Sequence, residues 1–81
     1  MSADLAAIAA HAEVLRADAQ ALTACAERLR EIEAGLAASG IAPSWLRASV
    51  NAHRAACLQA ATDLNTAAAR LHHYSNATTH P

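Results

Sequence analysis

The stretch Ser39-Gly40-Ile41-Ala42-Pro43-Ser44-Trp45 (SGIAPSW, residues 39–45) is the break that decides the fold of this 81-residue chain. Glycine adopts the left-handed backbone conformation that ends many helices, so Gly40 is expected at the position just past a first helix. Ile41 would then reach back to Leu36, the apolar contact of a Schellman motif. Pro43 blocks continuation of the helix and suits the first turn of a second one. Either Ser44 or Ala42 is expected to cap that second helix.

Both sides of the break carry helical stripes. Before it, positions 8, 15, 22, 29 and 36 read Ile, Leu, Leu, Leu and Leu, an unbroken seven-residue repeat. Leu5, Ala12, Ala19, Ala26, Cys25 and Ile32 complete that stripe. After the break, Leu46, Val50, His53, Cys57, Ala60, Leu64, Ala67, Leu71 and Tyr74 alternate spacings of four and three. Apolar 3-4 spacing sustained this long specifies long helices packed along a seam. Ser2 is the expected N-cap of the first helix, with Asp4 near its positive end. The organisation is one domain over residues 1–75: helix 3–39, turn 40–43 and helix 44–75. The polar residues 76–81 are expected to form a flexible tail.

So short a connection requires antiparallel neighbours. Facing residues then have numbers adding to about 82. On that rule Leu36 meets Leu46, Ile32 meets Val50, Leu29 meets His53, Leu22 meets Ala60, Leu15 meets Ala67 and Ile8 meets Tyr74. Cys25 meets Cys57. The fold class is all-α, an antiparallel two-helix hairpin, with pairing into a four-helix bundle expected.

Composition limits the function. Apolar residues make up 54% of the chain, but there is no Phe and only one Trp and one Tyr, so any core is built from Leu, Ile, Val and Ala. A net charge of −1 gives no electrostatic footprint for nucleic acid. The acids are concentrated before residue 41, and the second half carries three arginines against Asp63 alone. No apolar run is long enough to span a membrane. The start Met1-Ser2-Ala3-Asp4 lacks a basic region followed by an apolar one, so no ordinary signal peptide is expected. The expected location is therefore cytoplasmic, or outside the cell by a leaderless route.

Cys25 and Cys57 fall level on the two stripes. A disulfide there would close the hairpin at mid-length and stabilise it by roughly 3–4 kcal/mol in the chain-entropy model. The competing reading is two reduced cysteines acting as small apolar residues. His53 lies one helical turn before Cys57, a spacing open to a thiol–imidazole pair, but both fall on the expected buried seam and no oxyanion donor accompanies them. His11, His72 and His73 fall at one level and form a candidate zinc or copper set, although adjacent histidines on a helix diverge by about 100°. No catalytic residue, cofactor or metal is assigned. Glu13 with Arg16 and Glu27 with Arg30 have ion-pair spacing. Gly35 is expected to mark a close helix approach or a seat for Trp45. Trp45 itself is expected either to cap the hairpin end or to stand exposed as a recognition handle.

One seam does not use all the apolar surface. Leu58 and Val14 lie off it, and alanines line further faces of both helices. Two helices enclose little, whereas four enclose a core. A second hairpin is therefore the expected partner.

Taken together, the small size, two long alanine-rich helices, the tryptophan at the central turn (Ser44-Trp45-Leu46-Arg47) and an aromatic near the end of the second helix (Tyr74) resemble the WXG100, or ESAT-6-like, family of type VII secretion substrates. The resemblance spans nearly the whole chain. Position 47 is Arg where the family's Trp-x-Gly has glycine, and Thr78 stands where its Tyr-x-x-x-Asp/Glu export signal has an acid. The resemblance implies a non-enzymatic hairpin, secreted or displayed at the cell surface. It implies pairing with a related hairpin or a toxin's N-terminal domain, with Trp45 and Tyr74 as recognition residues. The alternatives are a cytosolic homodimeric adaptor with reduced cysteines and a histidine-based metal-binding hairpin.

Overall fold

A computed structural model describes the backbone of residues 2–79 and the side chains of residues 4–77. The capping side chain expected at Ser2, and residues His80 and Pro81 of the expected tail, lie outside the described residues. Helix α1 runs Ser2–Ser39 and helix α2 runs Ser44–Thr79. They pack against each other along their length as the expected antiparallel hairpin, 61 × 14 × 13 Å overall. Helix α2 continues past the expected end at residue 75. Ser75 is buried, 4% exposed, and its hydroxyl donates to the carbonyl of His72 at 3.1 Å. Ser75, the last residue of the expected helix, is thus tucked into the helix pair.

The turn follows the sequence in outline and differs in detail. Gly40 has φ 70°, the left-handed conformation expected of it. Ile41 does not fold back on Leu36; it is 89% exposed. Ser39 closes α1 instead. Its Oγ donates to the Leu36 carbonyl at 2.8 Å and accepts from the Ile41 amide at 3.5 Å. At the start of α2 neither Ser44 nor Ala42 acts as the cap. The carbonyl of Pro43 accepts from the amides of Leu46 and Arg47, at 3.1 and 3.4 Å, so Pro43 itself is the capping residue. Proline suits this place because its own missing N–H would have had no helical partner.

The core is unusually small-grained. Its buried apolar residues are Ala12, Ala19, Ala26, Cys57, Ala61 and Ala68. Ile8, Leu15, Leu22, Leu29 and Leu36 are only half-buried, as are Leu46, Val50, Leu64 and Leu71. Among the described residues no large side chain is fully buried. Alanine lines at seven-residue spacing on both helices allow the backbones to approach closely, and the leucines then flank the line of contact rather than fill it.

This close approach rotates α2 from the expected seam. Arg54, Ala61, Ala68 and Ser75 turn inward, in place of His53, Ala60, Ala67 and Tyr74. Ala60 and Ala67 remain half-buried on the flank, whereas His53 and Tyr74 are exposed. The expected pairings of His53 with Leu29 and of Tyr74 with Ile8 are therefore corrected. On α1, Ile32 is likewise 51% exposed and Glu33 takes the half-buried position beside it. The physical reason is size. A seam through His53 and Tyr74 would hold the helices apart, and one through Ala61, Ala68 and Ser75 does not. Threonines inside the helices satisfy themselves locally: the Thr23 and Thr62 hydroxyls donate to the carbonyls of Ala19 and Leu58. Among the described residues no buried side-chain polar atom lacks a partner.

Candidate functional site

Two long flanks run beside the seam, and they differ in chemistry. Helical periodicity assigns Val14, Cys25 and Ile32 of α1 to one flank, together with His53, Ala60, Ala67 and Tyr74 of α2. The opposite flank holds Glu13, Arg30 and Ala34 of α1 and Asn51, Leu58 and His72 of α2. A bridge across the second flank fixes this alignment, with the His72 Nε2 donating to the Glu13 carboxylate. Arg16 adds a longer contact to the same carboxylate at 3.8 Å. The hydrogen bond and charge of His72, and to a lesser degree Arg16, hold the Glu13 carboxyl below its ordinary value of 4.5, against the opposing effect of desolvation.

The four residues expected to contact a partner are all at the surface, but they do not form one patch. Val14 and Tyr74 are 52% and 56% exposed and share the first flank with Ile32. Leu58, 38% exposed, is on the second flank. Trp45 is 68% exposed at the turn, so it does not cap the hairpin end. Nothing approaches within 4 Å of a side chain placed at Gly35, so that glycine is neither a seat for Trp45 nor a contact point between α1 and α2. Ile32 was assigned to the seam by spacing. In the packed pair it lies off the line of contact, with Glu33 half-buried beside it.

Both cysteines are free thiols in this structure, Cys57 buried and Cys25 half-buried. Burial, and then the neighbouring Cys25 thiol, push the Cys57 thiol above its ordinary value of 9.0. Cys57 is thus held in the protonated form, the opposite of an activated nucleophile. The exposed ring of His53 is turned away from the seam that buries it. The expected grouping of His11, His72 and His73 does not form a metal centre: among the described residues no three His, Cys, Asp or Glu side chains come together as a metal site. His72 is committed to Glu13, and His73 and His11 are exposed.

Toward the turn, the second flank opens into two adjoining clefts of about 340 and 240 Å³. They share Glu33 and Arg47, and Arg30 and Arg54 line the smaller one. This cleft was not foreseen, because Arg54 enters it only through the rotation of α2. No helix among the described residues is long and apolar enough to cross a membrane. Comparison with known protein families, characterised proteins and solved structures finds no match.

Proposed function

We propose that the protein is a non-enzymatic helical-hairpin interaction module that pairs with a second hairpin across the Val14–Ile32–Tyr74 flank, forming a four-helix bundle. The observation that carries this is the core. Among the described residues, a pair of helices 38 and 36 residues long fully buries alanines and no large side chain, while its seam leucines stay half-open and three large apolar groups line one flank. Half-buried leucine layers beside an alanine-rich flank are what one half of a bundle presents. Ala60, Ala67 and Ala21 leave room there for close packing.

Within this reading the partner is a related hairpin or a toxin's N-terminal domain, and the protein serves type VII secretion as a partner or targeting factor. The secretory role rests on the resemblance to WXG100 proteins alone. Export would follow the type VII route, and the Cys25–Cys57 pair would close as a disulfide in an oxidising compartment. The alternative is a cytosolic homodimer using the same flank with reduced thiols.

The test is expression alone, and co-expression with any small helical neighbour its gene is found to have, each followed by sedimentation equilibrium. The wild type is expected as a four-helix species, with itself or with that neighbour. Replacing Val14 and Ile32 together with Glu is expected to leave a monomer. A wild type that stays monomeric in both arms, or a double variant that pairs as tightly as wild type, would overturn the proposal.

A further inference from the structure

The second flank carries charge that the hairpin itself does not neutralise. Arg30 is held by Glu27 on its own helix, at 2.9 and 3.2 Å. Among the described residues Arg47 and Arg54 make no ion pair, and neither does Glu33 between them. With Arg30 set against Glu27, the smaller cleft still presents Arg47 and Arg54 against the single carboxylate of Glu33, so it is net positive. Arg54 is half-buried, because it occupies the seam position that Ala61 and Ala68 hold farther along. A guanidinium in that setting has lost part of its water and gains more from a bidentate oxyanion than a fully solvated one does.

The spacing is informative about the ligand. Arg47 and Arg54 are seven residues apart, two helical turns, or about 10.5 Å along α2. Two carboxylates at seven-residue spacing on a partner helix match that interval, one for each guanidinium. Arg30 stands across the cleft from Arg54 and can complete the grip at that end. Leu58 is one turn beyond Arg54 and exposed on the same flank, with Ala34 and Ala37 as a shallow floor on α1. Glu33 opposes an anion at the middle of the cleft and so favours carboxylates at its two ends.

We propose that this cleft binds an acidic helical segment of a partner protein, with carboxylates two turns apart received by Arg47 and by Arg54 with Arg30, and an apolar side chain of the segment placed on Leu58. The surface is distinct from the Val14–Ile32–Tyr74 flank and does not depend on pairing there.

The probe is a fluorescent alanine-based helical peptide with two glutamates at seven-residue spacing and a leucine one turn beyond the second. Control peptides carry glutamine or phosphoserine in place of both glutamates. Anisotropy titration of the full chain is expected to show binding of the glutamate peptide, weakened at least about tenfold by R47Q/R54Q and severalfold by R47Q alone, which is exposed and leaves the fold intact. E33Q is expected to tighten binding, and raising salt from about 20 to 200 mM to weaken it. The V14E/I32E protein is expected to bind the peptide as wild type does, so loss of pairing and loss of this site are read separately. Equal binding of the glutamine peptide, binding of the phosphoserine peptide alone, competition by inorganic phosphate at equal strength, or an R47Q/R54Q protein that binds undiminished would each overturn the proposal.

Discussion

Gly35→Ala is expected to stabilise this hairpin. Gly35 lies inside α1, exposed, with ordinary helical backbone, and an added Cβ meets nothing within 4 Å. The substitution therefore creates no clash and removes no contact. Its effect comes from the backbone freedom that glycine retains in the unfolded chain, about 0.8–1.0 kcal/mol in a helix interior. The site is close to the end of α1 at Ser39, where partial fraying reduces that figure to about 0.5 kcal/mol or somewhat more. For a chain this size about 1 kcal/mol shifts the melting midpoint by roughly 4–8 °C, so a rise of about 2–6 °C is expected. Gly40→Ala provides a control of opposite sign. Its φ of 70° strains any residue with a Cβ, at roughly 1 kcal/mol. Circular dichroism melts and urea titrations over a hundredfold range of protein concentration are the assay, because pairing makes the midpoint depend on concentration. Gly35 is on the flank assigned to the partner hairpin. A variant more stable when dilute yet weaker in self-association would locate the partner's backbone against it. A Gly35→Ala protein less stable than wild type at the lowest concentration would refute the reasoning, because it would mean that α1 is packed or distorted at this position.

Three further outcomes test other parts of the structure. Ala61→Leu is expected to cost about 1–3 kcal/mol by forcing the helices apart, whereas Ala60→Leu, on the flank, is tolerated in the monomer; equal costs in urea unfolding would mean that the seam is not rotated as described. Since the folded-state Glu13 carboxyl is held below 4.5, its bridge to His72 contributes stability that is present above pH 4.5 and lost as pH falls through the lower folded value. Glu13→Gln should accordingly be less stable than wild type near neutral pH, and the two should converge in acid; a constant gap across that range would exclude the bridge as its source. Mild oxidation is expected to join Cys25 to Cys57 within one chain, consuming both thiols without forming covalent dimers and stabilising the protein by roughly 3–4 kcal/mol. Covalent dimers as the main product would show that the thiols do not meet across the hairpin.

The sequence alone determined the number of helices, their limits at the turn and their antiparallel order. Leucine and alanine spacing is a property of single helices, and Gly40 and Pro43 act through their own backbone chemistry, so no distant contact was needed to read them. It also singled out Val14 and Leu58, since large apolar groups off a seam have nowhere to be buried in a two-helix unit, and Trp45 at the turn; Tyr74, read as part of the seam, was named a recognition residue only through the family resemblance. What the sequence left undecided was rotation. A stripe alternating three and four admits a partner line through residues 53, 60, 67 and 74 or through 54, 61, 68 and 75, and α2 carries alanines on both. Only the packed pair selects the second line, because its alanines and Ser75 let the backbones close where His53 and Tyr74 would not. That rotation of one residue exposes His53 and Tyr74 on one flank, where Ile32 of α1 is also exposed, and draws Arg54 into the cleft on the other. The helices were legible as individual segments. The surfaces through which the protein meets other molecules were not, because they depend on how closely two small-residue faces approach.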